Sequence, residues 1–176
     1  MTDLTTTCCV AGGGPAGMML GYLLARAGVD VIVLEKHADF LRDFRGDTVH
    51  PSTLEVMREL GLLDDFLKLP HQQLQRLAAQ VGDDTIHAAD FSRLPLAARF
   101  IALMPQWDFL NFLVDKAKAF PSFRLMMQAE AADLIRDGDC VTGVVVQASE
   151  GEQRIAAALV VGADGRHSTV RARAGF

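Results

Sequence analysis

Residues Thr6 to Gly17 restrict the fold more than any other stretch of this chain. β-forming residues from Thr6 to Val10 run into three consecutive glycines, and an apolar-periodic segment, MMLGYLLARAG, begins just after Ala16-Gly17. That order reads as strand, tight turn and helix. Gly12, Gly14 and Gly17 stand at G-x-G-x-x-G spacing. In that pattern the first glycine gives the sharp turn, the second lets the backbone approach a pyrophosphate, and the third lets the helix pack closely on the strand. Pro15 suits the first helical turn, where an N–H would be unpaired anyway. The free N–H groups there, with the positive end of the helix dipole, favour phosphate oxygens.

Taken alone, the glycine spacing also fits a βα turn without a ligand. A second apolar run, Val31-Ile32-Val33-Leu34, ends in Glu35, about twenty residues on, where the pattern calls for an acid to accept a ribose hydroxyl. An acid at that point favours an unphosphorylated adenosine ribose over a 2′-phosphate.

The remaining chain reads as alternating short elements. Ser52 and Glu55 stand as a capping box opening a helix that Gly61 ends. Residues 75–91 suggest a hairpin around Gly82-Asp83-Asp84, and 99–103 a short extended run. An amphipathic helix is expected from Gln106 to about Phe120, with Phe109, Leu110, Leu113, Val114 and Ala117 on one face. Residues 129–158 read as a three-stranded meander crossing one face of the sheet. The all-apolar run Ala158 to Val161 reads as a separate strand buried on both faces, ending at Gly162-Ala163-Asp164-Gly165. Ser168 then caps a last helix that finishes near Gly175. The runs at 6–10, 31–34, 123–127 and 158–161 form the expected parallel sheet. Both glycine-rich turns would lie at the carboxyl edge of that sheet, where ligands bind in such folds.

With 176 residues, the chain suits one α/β domain able to bury a substantial core. No apolar run is long enough for a membrane span, and MTDLTTT carries no secretory signal, so a cytoplasmic protein is expected. Cys8 and Cys9 read as small buried hydrophobes, and the five histidines have no metal-ligand spacing, so no metal is expected. A formal net charge of −5 without a basic cluster speaks against nucleic acid.

GGGPAG, VIVLEK, Arg45-Gly46 before a helix, MPQWDF at the start of another, and VVGADGRHSTVR together resemble the FAD-dependent aromatic hydroxylases, single-component flavoprotein monooxygenases similar to p-hydroxybenzoate hydroxylase. The resemblance implies a Rossmann-like FAD-binding domain over residues 1–176, with 75–103 as the beginning of a substrate-domain sheet. It implies that Gly12, Gly14, Pro15, Ala16 and Gly17 hold the FAD pyrophosphate and that Glu35, beside Lys36, holds the adenosine ribose. Arg45 would lie near the ribityl and pyrophosphate region, Gln106 would contact FAD, and Asp164-Gly165 would serve FAD and NAD(P)H. Arg166, His167 and Arg171 are weaker candidates. An arginine offers a planar donor fork to diphosphate, and glutamine or aspartate can accept from ribityl hydroxyls. Each of these residues also has a plain reading as surface charge, helix terminus or turn.

The implied reaction uses NAD(P)H as reductant and O₂, and hydroxylates an aromatic small molecule through a flavin C4a-hydroperoxide. No side chain of this chain is expected to be catalytic. Members of the family are considerably longer, which makes this an N-terminal portion in expectation. Exposed apolar surface, self-association, weakened FAD binding and no hydroxylation by the chain alone would follow. Two further readings stay open: a flavin-dependent dehydrogenase, reductase or halogenase on the same fold, and a noncatalytic dinucleotide-binding module.

Overall fold

The computed structural model describes residues 3–41 and 47–176. The chain divides into two compact units, Met1–Leu41 with Leu110–Phe176, and Arg42–Phe109.

The first unit is built on the expected strand-turn-helix. Strand β1 (Asp3–Ala11) leads through the glycines into helix α1 (Pro15–Arg26), and β2 (Val31–Glu35) follows. Every residue of β2 is buried, as a central parallel strand requires. The second unit carries β3 (Thr48–Val49), α2 (Pro51–Glu59), α3 (Leu63–Phe66), β4 (Gln72–Leu74), β5 (Arg76–Val81), β6 (Asp84–Asp90) and β7 (Ile101–Leu103). Helix α4 (Gln106–Ala117) spans the boundary between the units. Strands β8 (Phe123–Met127), β9 (Ala129–Asp137), β10 (Cys140–Ala148) and β11 (Gly151–Gly162), then helix α5 (Thr169–Ala174), complete the first unit.

One six-stranded sheet, ordered β8-β2-β1-β11-β10-β9, forms the frame of the first unit. β1 pairs in parallel with β11 and with β2, and β2 with β8, while β10 runs antiparallel to both β11 and β9. The architecture is therefore the expected mixed α/β one. The meander differs from expectation, because it does not cross the sheet; it extends it edge to edge. The segment from Gly151 to Gly162 is one strand of 12 residues, bonded on one side to the meander and on the other to β1. No turn residue interrupts Ile155 to Val161, so nothing divides it. Ala158–Val161 is also not buried on both faces. Ile155 and Ala157 are buried while Ala156 and Ala158, between and after them, are exposed. Leu159, on the same side as 155 and 157, is itself 55% exposed, so the buried side ends at Ala157.

The core of the sheet joins Cys9, Ala11, Ile32, Leu34, Val144, Val146 and Ile155. Cys8 and Cys9 are both buried free thiols, and Cys140 is an exposed one. Burial pushes the Cys8 thiol up and raises that of Cys9 to about 12, with the charge of Cys8 adding to the latter. Among the described residues no helix is long and apolar enough to cross a membrane.

In the second unit, β3, β7 and β4 make a small antiparallel sheet, and β5 and β6 the expected hairpin. The capping box is not formed. Pro51 takes the first helical turn and His50 is the N-cap, without a side-chain cap. Ser52 thus lies inside the helix, and the Glu55 carboxylate turns to Arg58 at 2.7–2.8 Å. Proline's fixed φ moves the helix start two residues earlier than the serine would.

Candidate functional site

The carboxyl ends of β1, β2, β8 and β11 share one edge of the sheet. Ala11 lies beside both Leu34 and Gly162, and Glu35 beside Met127. The Ala163 N–H donates to Ala11 O at 2.7 Å and the Gly12 N–H to Leu34 O at 2.9 Å. These two bonds pull the turn after β11 and the strand end of β2 against the glycine turn.

Four glycines of that turn have four different reasons to be glycine. Gly12 has φ +110°, and a Cβ there would fall 2.3 Å from Ala163 O, so it provides both the backbone turn and the approach of the second glycine-rich turn. A Cβ on Gly17 would come within 1.9 Å of Gly12 O, which is the close helix-to-strand contact the spacing implies. A Cβ on Gly13 would press on Glu35, 2.8 Å from its Cβ. Gly14 alone faces open space, with no protein atom within 4 Å of a Cβ built there. Gly14 is also the N-cap of α1, in extended conformation and without a side-chain cap. The helix N-terminus thus presents N–H groups beside open space at Gly14. That space, uncovered by any side chain of its own turn, fits the diphosphate of a dinucleotide.

Glu35 is only 3% exposed. Its Oε2 accepts the Gly13 N–H at 3.2 Å, while Oε1 accepts the His37 N–H at 3.0 Å and contacts His37 Nδ1 at 2.8 Å. The acid at the end of β2 is therefore tied directly to the glycine turn. A buried carboxylate held by several N–H donors is a strong acceptor with a fixed direction. Lys36 is exposed and pairs with Glu130 at 3.8 Å.

Asp164 works locally as a cap. Its Oδ1 accepts from Ser168 Oγ at 2.5 Å and its Oδ2 from the Val170 N–H at 3.1 Å, while Ser168 Oγ accepts the Arg171 N–H at 2.9 Å. Ser168 is the N-cap of α5 and Gly175, at φ +86°, its C-cap, both as expected. Gly165 is left-handed at φ +84° and has no neighbour within 4 Å of a Cβ. Arg171 donates from Nη2 to Arg166 O at 2.7 Å, and His167 is exposed.

The structure thus brings Gly12, Gly14, Pro15, Ala16, Gly17, Glu35, Lys36, Asp164 and Gly165 into one unit, with the Gly12–Gly17 turn in contact with Glu35 through Gly13 and with residues 163–164 through Gly12. Gln106 belongs to the second unit, where its N–H donates to Asp47 Oδ1 at 3.3 Å. Arg45 lies outside the described residues. Sequence reasoning missed Gly13 and His37. The run of three glycines was the only signal for Gly13, whose position the pattern leaves free. His37 stands two residues beyond the acid, within reach of its carboxylate only because β2 ends there.

Fold and edge geometry define a dinucleotide-binding α/β protein. Comparison with known proteins makes this specific: the chain belongs to the FAD binding domain family, which it matches over residues 5–176. It is 32% identical over 171 residues to a 6-methylpretetramide 4-monooxygenase of Streptomyces rimosus, covering 97% of this chain and 41% of that protein. A rifampicin monooxygenase of Streptomyces venezuelae is 35% identical over 164 residues, covering 92% of this chain and 32% of the relative. The crystal structure of p-nitrophenol 4-monooxygenase from Pseudomonas putida DLL-E4 superimposes with a TM-score of 0.86 at 26% identity, covering 99% of this chain and 44% of that one. The chain therefore spans less than half the length of these relatives.

Proposed function

We propose that this chain holds the adenosine diphosphate end of FAD in an NAD(P)H-dependent monooxygenase that hydroxylates an aromatic small molecule with O₂. The observation that carries the proposal is the glycine turn, packed against Glu35 on one side and against residues 163–164 on the other, with Gly14 open for phosphate. Membership of the FAD binding domain family and the monooxygenase relatives support the choice of cofactor and reaction.

In this reading the N-terminus of α1 neutralises diphosphate charge, and Gly14 and Ala16 bring main-chain donors to its oxygens. Glu35 accepts ribose hydroxyls, which argues for an adenosine without a 2′-phosphate. Lys36 is proposed beside Glu35 at the ribose, and Arg45 and Gln106 are proposed contacts of FAD elsewhere. Asp164 acts through α5 as well as toward FAD, since its carboxylate already fixes that helix. The bound flavin supplies electron transfer from NAD(P)H to O₂ and oxygen transfer to substrate; the residues described here bind and orient it. Residues 75–103 are proposed as the start of a substrate-facing layer. The hairpin there exposes Leu77, Val81 and Ile86, a surface that supports self-association; a strictly monomeric protein in light scattering would contradict that part.

Because the chain by itself is not expected to hydroxylate, the reaction is tested by giving NADH or NADPH, ¹⁸O₂ and a panel of phenols to an FAD-loaded full-length monooxygenase in which this chain supplies the N-terminal FAD-binding portion. Incorporation of one ¹⁸O atom into a phenolic product is expected of a monooxygenase. Reductant consumption with hydrogen peroxide as the sole product, on every phenol, would contradict it.

A further inference from the structure

Glu35 has a partner that the dinucleotide pattern does not call for. The His37 ring meets Oε1 at 2.8 Å, on the same oxygen that accepts the His37 N–H. An ionised carboxylate only accepts, so Nδ1 carries the proton in this contact and the tautomer is set. The ring is not left to find this position by chance. The His37 carbonyl accepts the N–H of Gln128 at 3.0 Å, and the neighbouring Lys36 pairs with Glu130 at 3.8 Å. Gln128 has a positive φ of 52°, the only such non-glycine residue among those described. A left-handed non-glycine residue is held only where its surroundings demand it. Here the turn between β8 and β9 fastens the backbone of residue 37 from the far side.

We propose that His37 is a positioning residue of the adenosine-ribose end of the site: its Nδ1–H fixes the Glu35 carboxylate against the glycine turn before the cofactor arrives. The inference rests on the FAD reading above. Without the ring, Glu35 keeps the Gly13 and His37 main-chain donors but loses the shorter of the two contacts that its Oε1 makes with His37. Part of the binding energy is then spent on ordering the acid, and affinity falls.

The test measures FAD dissociation constants by flavin fluorescence, with thermal melts alongside, for wild type, His37→Ala, His37→Asn and His37→Gln. Losing one hydrogen bond to a charged group corresponds to about a tenfold weakening, expected for His37→Ala. Asparagine places an amide N–H where Nδ1–H stands, so His37→Asn is expected to recover affinity to within about threefold of wild type. Glutamine places its amide nearer the Nε2 position and is expected to stay weak. Because the bond is already made in the FAD-free fold, melting temperatures without FAD should fall by a few degrees for His37→Ala and His37→Gln and by less for His37→Asn. Wild type that binds FAD while His37→Ala binds it equally well would overturn the inference alone. So would His37→Asn binding no better than His37→Ala. Wild type that binds no FAD would overturn the FAD reading and this inference together.

Discussion

A methyl group added at Gly14 and another at Gly17 should separate cofactor approach from packing. At Gly14 the φ of −72° is open to any residue, and nothing lies within 4 Å of the new Cβ. Alanine is a poorer N-cap than glycine, but it also restricts the unfolded chain, a gain of about 0.4–1 kcal/mol. Stability should therefore stay within about 1 kcal/mol of wild type, which for a chain of this size is roughly 2–4 °C in Tm. FAD affinity should behave otherwise. The methyl stands where the diphosphate must approach, and losing one or two charge-assisted hydrogen bonds weakens binding about 10- to 100-fold or more. At Gly17 the new Cβ lies 1.9 Å from Gly12 O, more than an ångström inside the 3.0 Å that real Cβ atoms keep. Both partners are backbone, so helix α1 must lift from β1. Overpacking of that kind costs about 1–3 kcal/mol or more, partly offset by about 1 kcal/mol of helix propensity. Urea unfolding and FAD titration on both variants form the assay. Gly14→Ala with unchanged FAD affinity would refute the assignment of the open space to phosphate. Gly17→Ala as stable as wild type would refute the close contact.

Other consequences are as direct. A native thiol titration should find one fast-reacting group, Cys140, and three after denaturation, because Cys8 and Cys9 are buried. Burial raises the Cys9 thiol to about 12, so above the unfolded value of about 8.5 the unfolded chain releases a proton that the native chain keeps. Stability from this source is flat below that pH and falls by about 1.4 kcal/mol per pH unit above it; urea unfolding at pH 7.5 and 9.5 should show a smaller loss for Cys9→Val than for wild type. Ser168→Ala removes the N-cap of α5 and should cost about 1 kcal/mol in the same assay. Glu35→Gln turns an acceptor oxygen into a donor among N–H groups and should lower stability by about 1–3 kcal/mol as well as FAD affinity; a variant equal to wild type in both would contradict the Glu35–Gly13 link.

The strand-turn-helix, the parallel strands and the Ser168 and Gly175 caps were legible because each rests on local chemistry. Gly12 and Gly17 are glycines for reasons that a spacing rule already contains. Gly13 is glycine because of Glu35, a neighbour through space, and no local pattern records that. His37 is silent in sequence for the same reason. Capping at α2 was misread because Pro51 and Ser52 compete to start one helix, and proline's fixed φ settles it at His50. The long β11 was divided in two although its pairing is continuous: residues 151–156 pair with β10 and 154–162 with β1, so the two ladders overlap and no break marks the chain.

The central claim is that the two glycine-rich turns and Glu35 form a working FAD site. Its most direct test is the visible spectrum of the purified protein after incubation with FAD and gel filtration. Flavin bands that co-elute with the protein at one equivalent, and are lost in Gly14→Ala, are the result expected. A colourless protein peak, with all flavin in the small-molecule fraction, would contradict the account.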